Sequence, residues 1–374
     1  MRNMKKLITM MLMMASVFFF ACSEDEDKKL SPEEAKAELN SMTDDMSVKL
    51  DEMKNAEGFK AIEALNNMPD PFVETMSSGK TTIIQNIKKY TLPLFDKTKV
   101  KSIEGNFDFE YWWGTYTWDQ EHQMWTVVFD DPAVTTDDKI VIIFPADEAN
   151  MNNNNATITI LAYEEVELSV DGYYYYEPID IEANIVVDGI ELVGIDFAAN
   201  WGSQGELEML DVEVFVLPFT FSINFNIASV SGDIDFEILY NSESLFSIGL
   251  DATFADATME MPINIHGYIQ YLSVKFDIDI DVQNITDLVA QVQANPTMYT
   301  QEQMLEMLNN EIDAVVLVNG VKAADIEMEI DALTDEPYPV FVYTDGTSEP
   351  AQPYLEEFVL SLEDFFDFMD SIYG

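Results

Sequence analysis

The sequence predicts an α+β protein: a large, mostly antiparallel meander sheet with one apolar face, covered by helices from the N-terminal and C-terminal parts of the chain. Three observations support this fold class. Apolar residues recur every three or four positions near the N-terminus, alternate with polar residues through the middle, and form a broad helical stripe at the C-terminus. Of the 374 residues, 48% are hydrophobic, which is enough to build a sizeable core.

The N-terminal region, residues 30–97, is predicted to be helical. Its first helix begins with a capping box formed by Ser31 and Glu34, and Pro32 occupies the first helical position. The apolar residues that follow at helical spacing are Ala35, Leu39, Met42, Met46, Leu50 and Met53. A shorter helix through Phe59 should end before Pro69, and a third is expected from about residue 82 to residue 90.

Residues 98–283 are predicted to form the sheet. Apolar and polar residues alternate most clearly in the segments 179–187, 219–227, 234–238 and 274–282. Turn signals such as Asp188-Gly189 and Ser231-Gly232 separate them at hairpin-like intervals. We therefore expect ten or more strands, each with one face towards solvent.

Residues 284–374 are predicted to contain helices, a hairpin and a C-terminal amphipathic helix. Two helices are expected near 285–294 and 300–314, followed by a hairpin that turns at Asn319-Gly320 and an edge strand at 340–343. The chain closes with an amphipathic helix from Leu355 to Ile372, with aromatic residues on one side and acids on the other.

The apolar face of the sheet needs a cover, and two architectures provide one. Ten strands at about 4.8 Å make a sheet nearly 50 Å wide, and a helix is about 10–12 Å across. Four or five helices would therefore cover it, and the sequence supplies about that number. A sheet that curls around a cavity fits the same pattern.

The charge of the chain excludes one large class of partner. Against 18 Lys and Arg stand 70 Asp and Glu, so the formal net charge is −52. A surface with this negative charge would repel the phosphate groups of a nucleic acid, so we expect no nucleic-acid partner. One Cys and two His leave few soft metal ligands and few general bases, so we expect no cofactor and no metal.

The first 21 residues have the three parts of an export signal. A basic start containing Arg2 is followed by an apolar stretch from Leu7 and by the small residue Ala21. The stretch from Leu7 to Ala21 spans 15 residues, fewer than the roughly 20 that a membrane-crossing helix needs. Residues 1–21 are therefore predicted to be a signal peptide.

Cys22, the only cysteine, follows this segment directly. The run Phe19-Phe20-Ala21-Cys22 resembles the lipobox of bacterial lipoproteins, although Phe19 replaces the usual Leu and Phe20 the usual Ser, Ala or Gly. The resemblance implies that Cys22 is lipidated and that a lipid membrane is a partner through the acylated cysteine.

An acidic tether, residues 22–29, comes next. Its tag residues are Ser23, Glu24, Asp25, Glu26 and Asp27. They resemble the acidic export signal of Bacteroidota-type lipoproteins. The resemblance implies a lipid-anchored protein of the outer membrane, displayed on its outer face.

No catalytic or metal-binding residues are predicted. Residues 78–81 copy the end of a phosphate-binding loop, but Glu74 stands where its first glycine belongs. His122 and His266 do not have zinc-hydrolase spacing. The acids at 277, 279 and 281 and the acidic loop 345–349 are expected to be solvated.

An aromatic run between residues 111 and 118 is the one candidate binding platform. Alternate residues of a strand face opposite sides, so Trp112 and Trp118 are expected in the core. Tyr111 and Trp113 would then form an exposed platform for a glycan or a protein partner.

These observations favour a non-enzymatic, surface-exposed lipoprotein that acts as a binding or scaffold module of unknown ligand. The alternative is a carrier or chaperone for a lipid or another apolar ligand, held in a cavity between sheet and helices. A third hypothesis is an enzyme of unrecognised type.

Overall fold

The structure is a computed structural model that describes residues 30–67, 71–72, 107–129, 139–146, 152–170, 173–203, 205–257, 259, 261–295, 298–331 and 337–356. Several predicted features lie outside these ranges: the signal peptide, Cys22 with its acidic tag, the helix at 82–90, the loop at 78–81 and the closing helix beyond residue 356.

The described part of the chain is mostly β, with one large sheet and few helices. Its strands are β1 (Gly114–Asp119), β2 (Met124–Phe129), β3 (Ile140–Phe144), β4 (Ala156–Val170), β5 (Tyr173–Val187), β6 (Ile190–Trp201), β7 (Leu207–Val216), β8 (Phe219–Ala228), β9 (Ser231–Tyr240), β10 (Glu243–Phe254), β11 (Pro262–Tyr271), β12 (Val274–Asp281), β13 (Ile312–Val318), β14 (Val321–Ile330), β15 (Pro337–Tyr343) and β16 (Ser348–Pro350). Its helices are α1 (Pro32–Lys54), α2 (Glu57–Asn67), α3 (Val282–Ala294) and α4 (Gln301–Asn309).

The strands follow one another as a meander. From β16 down to β3 each neighbour in the sheet is the neighbour in sequence, and β1 and then β2 complete the 16 strands. Adjacent strands from β3 to β7 and from β10 to β16 pair antiparallel. β1 and β3 pair parallel, an exception to the predicted antiparallel pattern.

The predicted start of α1 is confirmed. Ser31 Oγ accepts a hydrogen bond from the Glu34 N–H at 3.4 Å, and the Glu34 carboxylate accepts one from the Ser31 N–H at 3.1 Å. The reciprocal bonds satisfy two donors that a helix start leaves open. A second capping box joins Thr300 and Gln303 at the start of α4.

The predicted alternation is confirmed along the middle strands. Ile181, Ala183 and Ile185 are buried in β5, as are Phe219 and Phe221 in β8. The Asp188-Gly189 turn is also confirmed, with φ angles of 50° and 82°. Both residues occupy the left-handed region that two-residue hairpin turns require.

Three expected boundaries are wrong. The turn predicted at Ser231-Gly232 lies at residues 229–230, and β9 already begins at Ser231. The helix expected to run to residue 314 ends at Asn309, because β13 starts at Ile312. The sheet does not end near residue 283, because β13 pairs with β12 and three more strands follow. The described part of residues 284–374 therefore contributes the four strands β13 to β16 to the sheet.

The contacts of the chain divide it into two compact units. The described residues of one unit lie within 30–49, 226–238 and 244–356, and those of the other lie within 50–225 and 239–243. The first unit contains α3, α4 and the strands from β10 to β16. The second contains α2 and the strands from β1 to β7.

Helix α2 approaches β6 and β7 very closely at Gly58. A Cβ atom built on Gly58 would lie 2.6 Å from Val216 Cγ1 and 2.8 Å from the Leu192 carbonyl oxygen. The next residue, Phe59, meets the ring of Phe221 edge-on with centroids 6.1 Å apart. Only glycine allows a contact this close between a helix and a strand backbone.

We expect Gly58→Ala to lower the stability of the protein. Alanine is normally favoured over glycine inside a helix by about 1 kcal/mol, but here its methyl group would push α2 off the Leu192 carbonyl. A lower thermal melting temperature by circular dichroism is the expected result.

Gly232→Ala is the matched control for that substitution. Its Cβ would have neighbours no closer than 3.7 Å, so the melting temperature should change little. A Gly58→Ala protein at least as stable as the parent would show that the close approach is not required.

Candidate functional site

The strongest candidate site lies where β14 separates from β13. The paired register between the two strands runs from Val318 opposite Val321 to Val315 opposite Asp325. Beyond Asp325, β14 continues to pair with β15 as far as Ile330. Residues 312–314 of β13 continue to pair with β12. A gap therefore opens between β13 and the second half of β14.

Asn309, the last residue of α4, partly closes this gap. Its side-chain amide donates to the Met328 carbonyl at 3.1 Å, and its Oδ1 accepts from the Met328 N–H at 3.2 Å. The amide group thus takes both hydrogen bonds that a neighbouring strand would make. This pairing holds α4 beside β14, because the backbone groups would otherwise need other partners.

A groove of about 970 Å³ lies between α4 and the separated strands, at the upper end of the range for small-molecule sites. Its apolar lining consists of Leu305, Ile312, Ala314, Ile326, Met328 and Ile330. Its acidic lining consists of Glu302, Glu306, Asp313, Asp325, Glu327 and Glu329. We call this feature the acidic groove.

The carboxylates of the acidic groove have little compensating charge. Among the described residues, none of those that line the groove is a lysine or arginine. Lys322, just outside it, lies 2.6 Å from Asp325. Glu329 accepts weak hydrogen bonds from Tyr338 at 3.4 Å and Ser348 at 3.5 Å. The groove therefore combines an apolar surface with an excess of negative charge.

The acids at 277, 279 and 281 have three different environments, which corrects the expectation that all are solvated. Asp279 is exposed, and Asp281 caps α3 by accepting from the Asn284 N–H at 2.8 Å. Asp277 is only 1% exposed. It lies in mid-sheet, opposite Tyr268 of β11 and Val315 of β13.

Asp277 pairs with Lys275. Lys275 Nζ lies 3.1 Å from Asp277 Oδ1, which is an ion-pair distance. Neither carboxylate oxygen of Asp277 accepts a well-aligned hydrogen bond from the described residues. The same ammonium lies 4.4 Å from the centre of the Tyr268 ring. Burial raises the pKa of Asp277, and the nearby lysine offsets this only in part.

We expect the stability of Asp277→Asn, relative to the parent, to rise with pH. A carboxyl whose folded pKa is raised stabilises the fold fully below its unfolded pKa, about 3.9, and that contribution is lost as the pH rises through the folded pKa. Asparagine cannot ionise, so the variant escapes this loss of stability as the pH rises above about 4. Melting temperatures at several pH values measure the difference.

Asp279→Asn is the control for this prediction, because it removes a neighbouring exposed carboxyl from the same strand. Its difference from the parent should depend less on pH. If the two variants behave alike, the carboxyl of Asp277 does not titrate as a buried group.

The acidic loop 345–349 is a tight turn and not an open cation site. Asp345 Oδ1 accepts from the Thr347 N–H at 2.9 Å and from its hydroxyl at 2.7 Å. The Glu349 carboxylate forms an ion pair with Lys36 Nζ of α1 at 2.8 Å. It also accepts hydrogen bonds from the hydroxyl groups of Tyr343 and Tyr354. Burial raises the pKa of Glu349, but the bonds from Lys36 and the two tyrosines outweigh it and lower the pKa.

The two histidines occupy separate places. His122 is exposed in the turn after β1, with Nδ1 2.8 Å from Asp119 Oδ2. His266 lies within β11, opposite Asp251 of β10 and Asp279 of β12. The described ranges contain no group of three or more His, Cys, Asp or Glu residues placed to hold a metal ion.

Of the two residues predicted to form the exposed aromatic platform, only Tyr111 is exposed. Tyr111 is 68% exposed, but Trp113 is 9% exposed and packs edge-on against Phe109. Residues 110–112 form a 3₁₀ turn and β1 begins only at Gly114, so strand alternation does not apply to Trp113. Trp112 and Trp118 are buried, as expected. Tyr111 and Trp113 therefore do not form one exposed surface.

The edge strand β2 is apolar and uncharged. Met124, Val127, Val128 and Phe129 are all exposed, on both faces of the strand. Charged residues and prolines usually protect such an edge from pairing with another chain, and β2 contains neither.

Comparisons with known proteins assign no family. No protein-family model matches the chain, and no curated protein matches it. A crystal structure of a porin-like protein from Bacteroides vulgatus is similar over 50% of this chain and 94% of that chain, with 8% identity and a TM-score of 0.18. None of the described helices is both long enough and apolar enough to span a membrane.

Sequence reasoning missed the acidic groove. One signal was present: in β14 the acids Asp325, Glu327 and Glu329 alternate with apolar residues. That pattern is equally typical of a strand with one wet face. The point at which β14 leaves β13 depends on tertiary pairing, so the pattern alone did not indicate a groove.

Proposed function

We propose that this protein is a non-enzymatic lipoprotein displayed at the cell surface, and that it binds its ligand in the acidic groove. The observation that carries the binding role is the groove itself, which places apolar side chains beside six carboxylates. The proposed location rests on the lipobox-like run before Cys22 and on the acidic tag that follows it.

The groove favours a binding module over the alternative of an apolar-ligand carrier. A lipid carrier encloses acyl chains in a dry cavity, because exposed hydrocarbon is costly in water. The acidic groove instead presents Glu302, Glu306 and Glu327 as exposed side chains around its apolar lining. Its chemistry suits a ligand with polar or charged groups of its own.

We also propose that the helices cover the apolar face of the sheet. The close packing of α2 on β6 and β7 at Gly58 supports this arrangement in one unit. In the other unit, α3 packs against β11 and α4 packs against β13 and β14. Leu305 and Leu308 are the buried residues of α4.

The anchoring role predicts that Cys22→Ser releases the protein from the membrane. Serine cannot carry a thioether-linked lipid, and the rest of the proposed anchor depends on those acyl chains. Fractionation of cells that express the variant should find it in the soluble fraction, while the parent stays with the outer membrane. Retention of the variant in the membrane would contradict the lipoprotein assignment.

The binding role predicts that a ligand in the groove raises the melting temperature of the soluble Cys22→Ser protein. At one hundred times its Kd a ligand stabilises the folded state by about 2.7 kcal/mol. Three probes cover the main classes: a basic peptide, a neutral oligosaccharide and a fatty acid. We expect at least one to raise the melting temperature.

That shift should disappear when Met328→Trp is added, because the larger side chain fills the groove. Thr253→Trp, an exposed position of β10, is the matched control and should leave the shift in place. Failure of all three probes, or a shift that survives Met328→Trp, would contradict the binding role.

A further inference from the structure

The acidic groove has features that select among ligand classes. Of its six carboxylates, Asp325 lies 2.6 Å from Lys322, and no lysine or arginine is among the described residues that line the groove. Like charges held close together repel, and a cation within the groove would relieve that repulsion. An anionic ligand would add to it.

The apolar part of the lining distinguishes between classes of cationic and anionic ligand. A hydrated metal ion would leave Ile312, Ile326 and Met328 in contact with water. A fatty acid would use these residues but would place its own carboxylate among the acids. Lys and Arg side chains match both parts, since their long stems are apolar and their ends are charged.

The spacing along β14 indicates the shape of the ligand. Glu327 and Glu329 are two residues apart on this strand, so their positions are separated by about 6.7 Å. Alternate residues of an extended peptide have the same spacing. A peptide that lies along β14 could therefore place every second side chain near a carboxylate.

We propose that the acidic groove binds an extended peptide segment of a partner protein, with Lys or Arg at alternate positions and apolar residues between them. This inference rests on the proposed binding role and specifies the ligand class. The basic heads pair with the acids of α4 and β14, and their stems and the intervening residues lie on the apolar lining.

The test uses an acetylated, amidated peptide in which Lys alternates with Leu, labelled for fluorescence anisotropy at about 0.15 M salt. The protein is the full chain carrying Cys22→Ser. The groove variant is Glu306→Gln with Glu327→Gln, both exposed residues of the lining. We expect its Kd to rise about tenfold, as the loss of two exposed ion pairs implies.

A control must remove the same charge elsewhere, since a strongly acidic protein attracts any cation. Asp211→Asn with Glu213→Gln serves this purpose, because both residues are exposed on β7 and neither lines the groove. Its Kd should stay within about twofold of the parent value. Equal weakening by the two double variants would overturn the inference in favour of general electrostatic attraction.

A second pair of variants and a second peptide complete the design. Glu302→Gln with Asp313→Asn removes two other groove carboxylates, so it should weaken binding as the first pair does. A peptide with the same composition but its lysines grouped at one end should bind more weakly. If both peptides bind equally, the extended alternating register is wrong.

The outcome also separates this inference from the proposed function. If the oligosaccharide or the fatty acid binds in the groove and the basic peptide does not, the peptide inference fails and the binding role stands. If no probe binds there, both fail. Release of the Cys22→Ser protein from the membrane is independent of either result.

Discussion

Continuous strand pairing is the constraint on which this structure depends. Backbone N–H and C=O groups removed from water need partners, and from β3 to β16 the meander meets that need by pairing strands that are consecutive in sequence. Where β14 leaves β13, the requirement passes to the side chain of Asn309, which bonds both backbone groups of Met328. The groove exists because a helix end, and not a strand, completes the pairing there.

The large excess of acid shapes the rest of the molecule. Most carboxylates of the described strands lie on solvent-facing positions, where water screens their repulsion. The exceptions have specific partners: Asp277 has Lys275, and Glu349 has Lys36 and two tyrosine hydroxyl groups. In the acidic groove Lys322 pairs with Asp325, and no lysine or arginine is among the described residues that line it. The proposed preference for a cationic ligand rests on this imbalance.

Anchoring and binding are separate features of the chain in the function proposed above. The anchor needs only the residues around Cys22, which can act without any contact with the sheet. Binding needs α4, β13 and β14, which come together over residues 301–330. A displayed module of this kind would meet partners outside the cell, and its net charge would draw basic segments towards it over long distances.

The amino-acid sequence by itself determined the local elements. Ser31 and Glu34 mark the start of α1, the alternation around Ile181 marks β5, and Asp188-Gly189 marks a turn, because capping, side-chain period and left-handed backbone are local properties. The N-terminal lipobox-like motif is likewise local, and its expected lipidation remains a prediction.

Only the tertiary structure decided which residues water reaches. Asp277 is buried whereas Asp279, two residues further along the same strand, is exposed, and Trp113 is buried next to the 3₁₀ turn that precedes β1. Neither fact follows from a polar and apolar alternation. The acidic groove depends on where β14 stops pairing with β13, and pairing between strands is a property of two segments together. A one-dimensional pattern shows which face of a strand is polar, but it does not show what lies opposite that face.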